Sequence, residues 1–215
     1  MQWFCDRTGY PVLALREIGL AVHLLPVAKR QFECFLAEPG SYGDGWYESL
    51  LEVSPRLAVS AATPAAYEML FASGLFPHEA QEFARWLGDG FELPRAEDWR
   101  EIYQALDQER IEQANVDALL NDAGMRVAAR TTLDWIVRNL RPQTWAEFAL
   151  MRGGLLEWVR VEHGSFGAFG MPRNEFQVVI VNPGHDAPVR PVYESRRYGY
   201  FGFRLKRALP DSRSD

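Results

Sequence analysis

The chain has 215 residues, 47% of them apolar and 24% charged, which argues against disorder and suits a single folded domain. Its net charge of −6 argues against a general nucleic-acid binder. Its apolar runs, interrupted as at His23 and Pro26, fall short of the ~20 residues a membrane span needs.

Two strand-like runs open the chain, YPVLAL over residues 10–15 and GLAVHLL over 19–25. Pro26 stands where a helix can begin, and PVAKRQFECFL places Val27, Phe32, Phe35 and Leu36 roughly on one face. Residues 38–55 are dense in turn formers and read as a long surface loop. Thr63 and Pro64 suit the cap and first turn of a helix running to Gly74. The same grammar recurs in FPHEAQEFARWLGDG. Pro77 opens that helix, Ala80, Phe83, Ala84 and Leu87 make its apolar stripe, and Gly88 or Gly90 closes it. FELP reads as a short buried strand or turn. Residues 96–124 read as strongly helical, with Trp99, Ile102, Tyr103 and Leu106 on one side and acids on the other. TTLDWIVRNL and TWAEFALM add two helical stretches, with Pro142 between them.

Past Gly153 the pattern changes. LLEWVRV, FQVVIVN, APVRPVYES and YFGFRLKR read as strands separated by Gly- and Pro-rich loops, and the SRSD tail is expected to fray. Helices first and antiparallel-looking strands last make the expected class α+β. Charge is segregated too. Residues 92–122 hold nine acids against three bases, and residues 189–207 hold six bases against one acid. These are either two solvated faces or a basic end that meets an acidic partner or pairs with the acidic helix. The two cysteines, Cys5 and Cys34, lie in no CxxC or Cys/His cluster and read as small hydrophobes in a chain expected to be cytoplasmic, since MQWFCDRTG lacks a secretory leader. The four histidines, His23, His78, His163 and His185, form no HxxxH or HxE pair.

Four segments, in order, resemble the formylglycine-generating-enzyme/sulfatase-modifying-factor family. They are PVAKRQFECFL, HEAQEFARWLGDGFELPRAEDW, MRGGLLEWV and FGFRLKR. The resemblance implies a C-type-lectin-like fold over residues 1–215 as one domain, with helices flanking an antiparallel sheet. It places the lectin-like strands and loops at about 151–207, and the helices at about 100–150 stand out as an insert. In this reading Trp86, Trp99 and Trp158 are core anchors, Gly202 allows close backbone approach, and Arg204 holds a carboxylate bidentately.

The departures from the family decide the expected function. Its oxidising members bind copper through two cysteines between the WEW segment and the closing GFR, because soft thiolates suit Cu(I). This chain has no cysteine between Trp158 and Phe201, so formylglycine-generating activity is not expected. The loop that binds calcium in some members reads GGLLEW here, keeping Glu157 as a calcium candidate, although one carboxylate is few for an ion that wants six to eight oxygens. No other cofactor is expected. The loops 164–174, 182–188 and 194–200 would form the recognition face. Arg173, Asn174, His185, Arg196, Arg197, Tyr198 and Tyr200 are its candidate contacts, the last four showing the Arg/Tyr bias of interfaces. The expected function is a non-catalytic binding or scaffold subunit with a protein partner, in a bacterial regulatory or defence assembly. The alternatives are a metal-dependent oxygenase with an unrecognised site, and a ligand-binding variable protein of a diversity-generating retroelement.

Overall fold

The computed structural model of the chain describes residues 1–38, 42, 44–53, 70–161, 165–170, 177–181 and 197–210. Eight strands and seven α-helices are seen among these residues. β1 (Gln2–Cys5), β2 (Pro11–Leu15), β3 (Leu20–His23) and β8 (Lys206–Ala208) form one antiparallel sheet in that order. The second sheet runs β6 (Gln177–Val181), β5 (Phe166–Gly170), β4 (Leu156–Arg160), β7 (Phe201–Gly202). Its pairs are antiparallel except β4 with β7, which is parallel. The helices are α1 (Lys29–Leu36), α2 (Asp44–Val53), α3 (Pro77–Leu87), α4 (Ala96–Gln108), α5 (Gln113–Leu120), α6 (Val127–Leu140) and α7 (Trp145–Phe148). The α+β class with helices flanking antiparallel strands is thus present, in two sheets where one was expected.

Strand alternation explains the layering. Leu156 and Trp158 on one face of β4 join a core with Phe32, Phe83, Phe201 and Phe203, on the side of α1 and α3. Leu155 and Val159, on the opposite face, join Trp99, Ile102, Leu106, Leu133 and Trp145 from the helices of residues 96–148. Both faces of β4 are covered, so its text is apolar except for the buried Glu157 and the half-buried Arg160 at its end. The helices of residues 96–148 therefore cover one side of β4.

Several local expectations hold. α3 starts at Pro77, buries Ala80, Phe83, Ala84 and Leu87, and stops at Gly88 with φ +80°. α4 begins after Pro94, where the Asp98 carboxylate accepts the Arg95 N–H at 2.8 Å and Glu97 joins it in the positive first turn.

Others are corrected. α1 starts at Lys29, later than Pro26, because Val27 N–H donates to Phe203 O and Ala28 bridges Phe71, which holds this stretch extended. The surface loop expected at 38–55 contains α2. Trp46 and Leu50, one turn apart, face inward, with Leu50 buried and the Trp46 ring stacked on Phe32. The continuous helix expected over 96–124 breaks at Glu109. There Trp145 N–H donates to Glu109 O and Ile111 N–H to Gln143 O, so a tertiary bridge outweighs helix propensity. Residues 166–170, expected in a loop, form β5. YFGFRLKR is two strands in different sheets, joined by residues 203–205. β1 was not anticipated, having only four residues. The helix expected at 63–74, apart from its last residues, the strand at 187–195 and the SRSD tail lie outside the described residues.

Candidate functional site

Arg204 is a densely hydrogen-bonded side chain of the described core. It sits between β7 and β8 with no exposed surface, while its neighbours Phe203 and Leu205 enter the opposite core. Nε and Nη2 donate to the two oxygens of Glu157, each at 2.6 Å. Nη2 also reaches Ala149 O, and Nη1 reaches His23 O and Leu24 O. All five guanidinium N–H groups thus have acceptors, as a buried guanidinium requires. Trp99 Nε1 donates to Glu157 Oε2 at 3.0 Å. This unit joins both sheets, α4 and the end of α7. Gly154 sits beside it in the GGLLEW loop, where a Cβ would lie 2.0 Å from Leu150 O, and at Gly202 a Cβ would lie 2.8 Å from Leu155 Cδ1.

Glu157, the calcium candidate, has both oxygens engaged by Arg204 and no exposed surface. These residues do not fit calcium: the ion would lie against a buried guanidinium, with no second carboxylate among the hydrogen-bonded partners. Among the described residues no group of three or more His, Cys, Asp or Glu side chains could hold a metal ion.

The candidate recognition residues divide. Arg173, Asn174, His185 and Arg196 lie outside the described residues. Arg197 faces inward. It makes a bidentate pair with Glu79, at 2.7 and 2.8 Å, donates to Gly74 O, and lies 4.2 Å from the centroid of Phe76. Glu79 also accepts from Phe76 N–H and Trp46 Nε1, which fixes the start of α3 and explains a fully covered carboxylate in its first turn. Arg197 therefore clamps the last loop to α3. Tyr198 is half-buried and stacks on Phe201, while Tyr200 meets the edge of the same ring and is 49% exposed. Of the described candidates, Tyr200 alone presents a largely open side chain.

Sequence reasoning missed a polar cluster at the β1–β2 turn. Asp6 Oδ1 accepts from Thr8 N, Thr8 Oγ1 and Tyr10 N, and Oδ2 faces His23 Nε2 at 3.0 Å and accepts from Gln31 Nε2 at 2.7 Å. Burial alone would raise the Asp6 pKa, but the bonds from His23, Thr8 and Tyr10 together hold it below the usual carboxylate value. The Asp-x-Thr pair within a Gly-containing turn was the available signal, since Asp commonly bonds the backbone two residues on. Neither cysteine is fully buried. Cys5 is pushed up to about 11 by burial and by Asp122 and Asp6.

The two charged regions meet. Lys206 Nζ lies 2.7 Å from Glu92 and 3.2 Å from Asp98, and Arg160 lies 2.7 Å from Glu92. No family model matches the chain, and no curated protein matches it. Among the described residues no helix is long and apolar enough to cross a membrane.

Proposed function

We propose that the chain is a non-catalytic protein built on the formylglycine-generating-enzyme-like variant of the C-type lectin fold, acting as a protein-binding or scaffold subunit in a bacterial regulatory or defence assembly. One observation carries this reading. Trp99, Glu157 and Arg204 come from three of the four family-like segments, and they converge in a single buried hydrogen-bonded unit. Motif residues that meet in this way support the fold resemblance more strongly than their order in sequence.

The function follows from what those residues do. Trp99, Glu157 and Arg204 hold the fold together from within. The sequence between Trp158 and Phe201, where oxidising relatives carry their thiolates, contains no cysteine. The partner surface is then the loop-bearing end, with Tyr200 as its exposed aromatic anchor and Arg196 as a cationic contact for an acidic protein surface. Arg197 supports that end through Glu79.

The test is site-specific crosslinking in the native cell, with a photoreactive phenylalanine at position 200. A discrete protein adduct that is lost on Arg196→Glu is expected. A chain that gives no adduct and remains monomeric in native extract would overturn the reading. So would purified protein that oxidises a cysteine-containing peptide with oxygen, or that carries stoichiometric iron or copper when prepared without chelators.

A further inference from the structure

Four separate segments converge on an open pocket of ≈450 Å³ lined by Arg7, Thr8, Cys34, Glu38, Trp86 and Arg126. Arg7 and Thr8 come from the β1–β2 turn, Cys34 from α1, Glu38 from just after it, Trp86 from α3, and Arg126 from the residue before α6. The volume falls in the ~300–1,000 Å³ range of small-molecule sites.

The turn is held rigidly. The Asp6 carboxylate fixes Thr8 and Tyr10 from below. Arg126 N–H donates to Gly9 O at 2.8 Å, and a Cβ on Gly9, whose φ is +80°, would lie 2.9 Å from Arg126 Cβ. Glycine at this position lets the Arg126 backbone dock against the turn.

The lining is rich in donors and poor in acceptors. Among the described residues neither Arg7 nor Arg126 has a carboxylate within ion-pair distance. Arg7 lies over the Trp86 ring, 4.0 Å from its centroid, and Arg126 Nη1 donates to Cys34 Sγ at 2.8 Å. The Trp86 indole N–H is buried and has no acceptor among the described residues. The Thr8 hydroxyl is already directed to Asp6, and Glu38, exposed, is the one acid of the lining. Two guanidiniums without counter-ions among the described residues, set in one pocket, form a lining complementary to a compact anion.

We propose that this pocket binds a small oxyanion-bearing ligand, a carboxylate or a phosphate, between the guanidiniums of Arg7 and Arg126. The ligand would supply the anionic acceptors that Arg7 and Arg126 lack among the described residues, and Cys34 lies where it reports occupancy. This site is independent of the partner surface at Tyr200.

The test uses the full chain and follows alkylation of Cys34 by iodoacetamide, read by peptide mass spectrometry. Inorganic phosphate and citrate are titrated separately, with ionic strength held constant by sodium chloride. Cys5 is the internal control, its thiol being held up to about 11. Saturable slowing of Cys34 alkylation, with Cys5 unchanged, is expected with at least one probe. The probe that protects distinguishes a phosphate from a carboxylate ligand. Because Arg126 touches Cys34, protection is compared with the unliganded rate of the same variant. Arg7→Gln and Arg126→Gln should each raise the half-protecting concentration about tenfold or more. No protection by either probe, or protection unchanged by Arg7→Gln and Arg126→Gln, overturns the proposal.

Discussion

At the scale of single residues, Arg204 and Glu157 show how a buried charge is made tolerable. The guanidinium has five acceptors, and the carboxylate gains a further donor from Trp99. Glu157→Gln should destabilise the fold by about 3–5 kcal/mol in urea unfolding, because it leaves a buried guanidinium without its counter-charge. The double variant Glu157→Leu with Arg204→Met should cost less than the sum of the two single variants, since no lone charge is left. Asp6 makes a different prediction. Its carboxyl is held below the ordinary value of 3.8. The stability it contributes is present above that unfolded value and is lost as pH falls through the lower folded value. Unfolding free energy measured from pH 5 downward should fall more steeply in the wild type than in Asp6→Asn. Equal slopes would remove Asp6 from the acid response.

At the scale of elements, tertiary contact repeatedly moved boundaries that local chemistry suggested. Pro77 and Gly88 bound α3 as the sequence implies, because proline and glycine act on the backbone itself. The break after α4 depends instead on residues 143–145, which lie far along the chain and leave no local mark. α2 was hidden among turn formers, and its burial comes from aromatic partners on α1. Gly154 is pressed against a backbone carbonyl, where a Cβ would lie 2.0 Å from Leu150 O. Gly154→Ala should therefore cost about 3 kcal/mol or more, or prevent folding, as judged by thermal unfolding and soluble yield. Gly19→Ala, where a Cβ would meet nothing within 4 Å, is the comparison for glycine's backbone freedom alone, since φ there is +66°.

At the scale of the whole molecule, the chain closes on itself. β8, near the C-terminal end of the described residues, pairs with β3 from the opening hairpins. The segment between β7 and β8 passes from one sheet to the other and carries Arg204 at the crossing. The acidic and basic regions also meet there, where Lys206 contacts Glu92 and Asp98. Part of the charge segregation is thus internal pairing, which leaves less of the basic end to an outside partner. Arg197 illustrates the consequence. Its pair with Glu79 is almost wholly covered, so Arg197→Ala should lower stability by about 3 kcal/mol in denaturant unfolding. Crosslinking through Tyr200, normalised to folded protein, should survive that change, whereas Arg196→Glu should abolish it. Loss of crosslinking from folded Arg197→Ala would instead place the guanidinium in the contact.

The sequence alone determined the α+β class, the strands at 11–15 and 20–23, the frame of α3, and the pairing of Arg204 with a carboxylate. Each follows from periodicity, from backbone-restricted residues, or from motif resemblance. It could not choose Glu157 as the partner, turn Arg197 inward, or bring Arg7, Cys34, Trp86 and Arg126 around one pocket. Those outcomes depend on distances between residues remote along the chain, which local patterns do not encode and only the packed fold sets.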